Sequence, residues 1–300
     1  MTDLSRVGLG TVQFGMHYGV SNRVGQPDER EVAAILERAV ARGVRYLDTA
    51  SAYGDAEILL GRHLPSGHNL RIVTKMPPVR DEHIGARHKQ QWLDALALSL
   101  ERLKVSAVYG LLVHQADDLD KPGWQYLAEA LQEAQASGLV SHIGVSIYDE
   151  NQLRLADSRF RSDLIQLPLN ALDLRLIASG ALARLKARGV EVHARSVFLQ
   201  GVLLAPPSDL PDFFQPLRQR LVEMHGGWSR RGLSPLAACL AFVLRQTNVD
   251  AAIVGVNSLT EFDEIAAAIA EVDNAEVDYD AMPPVDPIYL DPSRWPALAH

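Results

Sequence analysis

The chain has 300 residues, 47% apolar and 22% charged, which is enough to bury a large core, and an α/β barrel of roughly 250 residues is a common single-domain solution at this length. A formal charge of −8 with no Lys/Arg-rich block argues against a nucleic-acid surface. No run approaches the roughly 18 apolar residues of a membrane span, residues 1–6 carry no apolar signal core, and the single cysteine, Cys239, sits in an apolar helical run, so the expectation is one cytoplasmic domain over residues 1–300 without a disulfide.

Eight apolar strand candidates alternate with helical patterns, the sequence form of a wound parallel sheet or barrel. The strands centre near Leu9, Leu47, Val73, Leu111, Ile143, Ile165, Val192 and Ile253. Apolar spacing of three and four predicts helices over 29–42, 90–103, 123–137 and 174–188, with Gly43, Gly138 and Gly189 at stop positions. Pro235 after Ser234 opens a further helix running to about residue 246.

Two connections are longer than the rest, and both should overhang the open end of the barrel. The first is the turn-rich segment 15–26. The second is the stretch of over fifty residues between the seventh and eighth strands, where Pro206-Pro207, Pro211 and Gly226-Gly227 predict loop and short helix. The acidic, proline-rich tail over 272–300 is expected to cross the barrel surface in extended form, anchored by Tyr289 and Trp295.

Polar residues close successive strands. Asp48 ends the second, with Tyr53 five residues on; Lys75 ends the third and His114 the fourth. In a parallel barrel the carboxyl ends of all strands open on one face, so these groups converge. A phenol near its ordinary pKa of about 10 is a poor acid at neutral pH, and a neighbouring ammonium lowers that value. Lys75 would supply the charge and Asp48 would hold it. Tyr53 could then exchange a proton with a carbonyl oxygen oriented by His114. No side chain donates hydride, so carbonyl reduction at such a site implies a nicotinamide. Taken singly, an Asp-x4-Tyr pair is more often a helix cap and a strand-end lysine is usually just solvated. The conjunction of four in order is what points to a site.

With these residues the chain resembles the aldo-keto reductase superfamily. The matching segments are Gly8-Leu9-Gly10-Thr11, Asp48 to Gly54, Thr74-Lys75, Leu112-Val113-His114, Gly144-Val145-Ser146, Gln166 with Asn170, and Gln200-Gly201, in order over residues 7 to about 265. The resemblance implies a (β/α)8 TIM barrel, a catalytic tetrad on Asp48, Tyr53, Lys75 and His114, and an extended NADP(H). It places Ser146 and Gln166 on the nicotinamide carboxamide, with Ile147 standing where relatives have asparagine. Where relatives stack an aromatic ring on the nicotinamide, this chain has Arg195, followed by Ser196, and its flat guanidinium can pack on a π face. Gln200 and Gly201 begin the segment that in relatives folds over the cofactor.

The eighth strand leads into a helix N-terminus, a natural phosphate site, through Gly255, Asn257, Ser258 and Glu261. Relatives that prefer NADP put arginine or lysine near the place of Asn257. Glu261 could accept from a ribose hydroxyl or repel a phosphate. NADP(H) is the expectation from the resemblance and NAD(H) the alternative. The hairpin that plugs the barrel bottom in many relatives has no counterpart before the first strand, so something else must cover that end. No histidine shows metal-ligand spacing, and no metal is expected. The partner implied is a small carbonyl or alcohol, hydroxylated if His17, Tyr18 and Arg195 face it. The alternative function is a cofactor-binding regulatory or redox-sensing subunit with little turnover, as some members of the superfamily are.

Overall fold

The structure, a computed structural model, describes residues 4–20, 22, 24–271 and 284–296. Eight parallel strands close into a barrel in sequence order: β1 (Val7–Gly10), β2 (Tyr46–Asp48), β3 (Arg71–Met76), β4 (Val108–Val113), β5 (Val140–Ser146), β6 (Leu164–Pro168), β7 (Glu191–Arg195) and β8 (Ala251–Gly255). All eight contain or adjoin the positions expected from the apolar runs. Register sets the strand ends level: Gly10 pairs with Asp48 and with Gly255, Lys75 with Leu112, Ser146 with Gln166 and Pro168 with Arg195. Residues that end strands therefore meet at one rim.

The helices are α1 (Val12–Gly15), α2 (Glu29–Ala41), α3 (Ala56–His63), α4 (Ala86–Leu103), α5 (Gln125–Ala136), α6 (Glu150–Arg159), α7 (Arg175–Ala178), α8 (Ala181–Ala187), α9 (Gln215–Arg230), α10 (Pro235–Leu244) and α11 (Leu259–Glu271). Their apolar faces and the outward faces of the strands share one buried layer, which takes in Cys239. Gly43, Gly138 and Gly189 take left-handed φ at helix stops, as expected. Ser234 caps α10 by accepting from the Ala237 N–H.

Three expectations about helices are corrected. The run 174–188 is two short helices, because Gly180 turns to φ +72° between them and Asp173 clamps Arg175 at the start of the first. Helix α4 begins a turn earlier than residue 90, where the His88 ring accepts the Gly85 N–H and satisfies one end group. Gly226 and Gly227 do not break the long connection: they lie inside α9, whose buried Leu217, Leu221, Met224 and Trp228 outweigh the helix cost of glycine, about 1 kcal/mol each.

Among the described residues no hairpin precedes β1, and the barrel floor is filled from within. The rings of Tyr46 and Tyr109 stand 6.1 Å apart, and the Arg71 guanidinium lies 4.7 Å over Tyr109. The Tyr109 hydroxyl donates to Glu191, and the fully buried His193 ring meets Glu191 Oε1 at 2.8 Å. Burial would raise the Glu191 pKa, but the hydrogen bonds from His193 and Tyr109 prevail and hold it at about 2.

Candidate active site

The opposite end of the barrel opens into a cleft of about 590 Å³. At its centre the Lys75 ammonium donates to both carboxylate oxygens of Asp48 and to the Thr49 carbonyl, each at 2.8 Å. An ammonium has three N–H donors, and Tyr53 is a further partner beside these three acceptors. Gln166 Nε2 adds a bond to Asp48 Oδ1 at 2.7 Å. Charge and hydrogen bonding are thus balanced at a place where Lys75 and Asp48 are 2% and 6% exposed.

Tyr53 stands on the turn that follows β2. The turn is set by backbone contact with the loop after β1: a Cβ on Gly15 would lie 1.8 Å from the Tyr53 carbonyl oxygen, and one on Gly54, at φ +51°, would lie 2.4 Å from the Gly15 oxygen. Only glycine permits that approach. The Lys75 Nζ is 5.1 Å from the Tyr53 ring centre, and the His114 ring meets it edge-on at 5.8 Å. The four side chains read from strand ends as a set are brought together.

Their protonation departs from the expectation in one respect. Burial raises the Tyr53 pKa more than the Lys75 charge lowers it, so the phenol holds its proton more firmly than a free one. Burial alone would discharge Lys75, but Asp48 and Tyr53 raise its pKa and it stays charged. Burial and then the Lys75 charge push His114 down to about 4, leaving a neutral imidazole at pH 7. Its Nδ1 has no hydrogen-bond partner in the described structure. The set is therefore a protonated phenol beside an ammonium and a neutral imidazole, suited to giving a proton to an oxygen held between Tyr53 and His114.

Beyond this centre the cleft is lined by Ser146, Gln166, Arg195, Ser196, Gln200 and Gly201, and by Gly255, Asn257 and Glu261. Of the positions expected to bind cofactor, Ser258 alone is outside the lining: its Oγ accepts from the Glu261 N–H at 3.1 Å and caps α11. Tyr18 lines the cleft, while His17 is exposed and does not. Arg195 lies with its guanidinium 4.1 Å from the centre of the Tyr148 ring, fixed by the Ile147 carbonyl at 3.0 Å and near Ser146 Oγ at 3.3 Å. Ile147 thus contributes its backbone oxygen to holding Arg195. Tyr148, two residues after Ser146, was not singled out in the sequence; an aromatic so close to a strand-end serine was the available signal.

Ser196, Leu199 and Gln200 take left-handed φ of +57°, +49° and +53°. Such strain in non-glycine residues gathers at functional sites. The first overhanging loop is tied to this turn, with Gln200 Nε2 donating to the Tyr18 hydroxyl and the Val20 N–H to the Gln200 carbonyl, both at 3.0 Å. The tail packs over the same end: Trp295 sits 4.9 Å from Phe214, Tyr289 5.2 Å from Phe213, and Pro292 and Ser293 reach the cleft lining. Against the extended form expected, Pro287–Tyr289 and Pro292–Arg294 are short 3-10 turns, each opened by a proline after a capping aspartate, and the parts of the tail over 272–283 and 297–300 lie outside the described residues.

At the far end, Glu261 Oε2 accepts from the Asn257 backbone N–H at 2.7 Å and from its side-chain amide at 3.2 Å. Asn22 Nδ2 donates to Asn257 Oδ1 at 3.0 Å, and Glu31 Oε1 takes the Leu259 N–H at 2.6 Å. Glu31 and Asn22 carried no motif and come from elements more than 220 residues away.

The Aldo/keto reductase family pattern matches residues 6–280. YcsN of Bacillus subtilis, described as an uncharacterized oxidoreductase, is 27% identical over 198 residues, or 60% of this chain and 65% of YcsN. A 6-dehydroglucose reductase of Novosphingobium aromaticivorans is 32% identical over 138 residues, 41% of this chain and 43% of that one. The chain thus matches less than two thirds of the length of either relative. The glycerol dehydrogenase AKR11B4 of Gluconobacter oxydans superposes with a TM-score of 0.67 over 93% of this chain and 96% of its own, at 23% identity, a likeness that carries the fold alone.

Proposed function

The chain belongs to the aldo/keto reductase family, and from that premise we propose that it catalyses hydride transfer between a nicotinamide nucleotide and the carbonyl carbon of a small aldehyde or ketone, or the reverse from the alcohol. The observation that carries this is the buried Lys75 ammonium, held by Asp48 and placed 5.1 Å from the Tyr53 ring. The residues fit a bound dinucleotide: one cleft joins the four central groups to Ser146, Gln166 and the flat Arg195 guanidinium, and is lined also by the strained turn at Gln200. When bound, the nicotinamide supplies or accepts the hydride. Tyr53 gives its proton to the carbonyl oxygen as negative charge develops there, and the Lys75 ammonium stabilises the phenolate left behind. His114, neutral, donates one hydrogen bond to the same oxygen and orients it. Ser146 and Gln166 offer partners to the carboxamide, and the Arg195 guanidinium offers a flat face at the ring.

A relative named 6-dehydroglucose reductase and the polar lining of Tyr18, Tyr148, Arg195 and Ser293 support a hydroxylated carbonyl substrate. The test is to follow nicotinamide absorbance with the purified chain, both reduced nucleotides and a panel of sugar and simple aldehydes. Turnover of at least one carbonyl is expected. Firm nucleotide binding with no turnover across the panel would instead favour a cofactor-sensing role.

A further inference from the structure

We propose that the far end of the cleft is built for an unphosphorylated adenosine ribose, with Glu261 accepting from its hydroxyls, so that the chain takes NAD(H) in preference to NADP(H). This rests on the nicotinamide-dependent reading above.

A helix N-terminus attracts anions through its free N–H groups and dipole. At α11 that place is already filled by the protein's own carboxylates. Glu31 reaches across from α2 to take the Leu259 N–H at 2.6 Å, and Glu261 folds back onto the Asn257 N–H at 2.7 Å. Ser258 Oγ takes the Glu261 N–H at 3.1 Å. A 2′-phosphate entering here would find these N–H groups occupied and negative charge beside it. Counter-charge is lacking as well: among the described residues that line the cleft, the Lys and Arg side chains are Lys75 and Arg195, both at the hydride end. Arg38, on α2, is paired with Asp263 at 2.5 Å.

A ribose diol meets the opposite situation. Glu261 lines the cleft and uses Oε2 for Asn257, while Oε1 has no donor among the described residues. A carboxylate with a free oxygen is an acceptor for a ribose hydroxyl, the arrangement by which acidic residues select NAD in other dinucleotide sites. Asn257 cannot turn its amide to a phosphate without losing both Glu261 and the Asn22 side chain, which donates to its Oδ1 at 3.0 Å. Glu31 acts one step removed, as a positioning residue that keeps the helix end negative.

The experiment is calorimetric titration of the full chain with NADH and NADPH, in the native sequence and in Glu261→Gln, Glu31→Gln, Asn257→Arg and Arg23→Ala, each checked for native unfolding temperature. Arg23 is included because it is a cation that neighbours Asn22 in sequence. The native chain should bind NADH at least about 10-fold tighter than NADPH. Glu261→Gln and Glu31→Gln should narrow that ratio, chiefly by improving NADPH, and Asn257→Arg should narrow it without removing either carboxylate. Equal or tighter NADPH binding by the native chain overturns the inference and leaves the oxidoreductase reading standing, and loss of that NADPH affinity in Arg23→Ala would identify the cation responsible. Binding of neither nucleotide removes both.

Discussion

Lys75 and Asp48 form a charge pair at the inner wall of the cleft, 2.8 Å apart with side chains 1% and 8% exposed. Breaking one side of a buried pair leaves an uncompensated charge, which typically costs about 3–5 kcal/mol. Lys75→Met should therefore lower the free energy of unfolding in urea by about that much. The double variant Asp48→Asn with Lys75→Met should be less destabilised than the sum of the single changes. Strict additivity would mean that the two charges do not depend on each other.

Tyr53→Phe removes the one hydroxyl proposed to exchange the proton and leaves the ring. Turnover should fall by about 10²–10⁴-fold, the usual contribution of a positioned acid, while nucleotide affinity stays within about 2-fold. Near-native turnover in this variant would end the role assigned to Tyr53.

His114 gives the fold a pH dependence. Its folded pKa of about 4 lies below the ordinary 6.5, so between those values the unfolded chain takes up a proton that the folded chain refuses. Stability contributed by His114 is complete above pH 6.5 and declines as pH falls towards 4. Unfolding free energies measured at pH 7, 6, 5 and 4 should decline less steeply in His114→Gln than in the native chain. Parallel slopes would show that the imbalance is not His114's.

The barrel floor supplies a second acid dependence at a distance from the chemistry. Glu191, held at about 2 against an ordinary 4.5, stabilises the fold above pH 4.5 and stops doing so as pH falls towards 2. Tyr109→Phe removes one of its hydrogen-bond donors and should cost about 1–3 kcal/mol at pH 7. The difference from the native chain should shrink between pH 4.5 and 2, and nucleotide affinity should be unchanged, both readable from unfolding and titration of one preparation.

Gly15→Ala should disturb the site through the backbone alone. Its Cβ would meet the Tyr53 carbonyl oxygen at 1.8 Å, so the two loops must part, at a cost of about 1–3 kcal/mol for overpacking. Gly25→Ala strains the same loop at φ +88° but meets nothing within 4 Å. Turnover should therefore drop sharply in the first variant and little in the second.

The barrel and its central four residues were legible in the chain because both follow from local rules. Apolar runs of strand length alternate with helical spacing, and parallel closure brings every strand's last residue to one rim, so Asp48, Lys75, His114, Ser146 and Arg195 could be placed from strand ends without knowing any contact. The continuous helix expected over 174–188 and the break expected at Gly226-Gly227 failed for a related reason: glycine marks where a helix can end, and whether it ends there is decided by what the neighbouring side chains bury.

What sets the chemistry within that frame came only with packing. The net direction of the Tyr53 pKa depends on burial competing with the Lys75 charge, and burial is a property of the closed cleft rather than of any motif. Tyr148 beneath Arg195, Glu31 on the N-terminus of α11 and Tyr109 on Glu191 are likewise side-chain meetings between elements far apart in the chain. A strand end is fixed by its own few residues, whereas such a contact exists only when two separate elements are brought to within about 3–4 Å, and that distance is set by how the whole barrel closes.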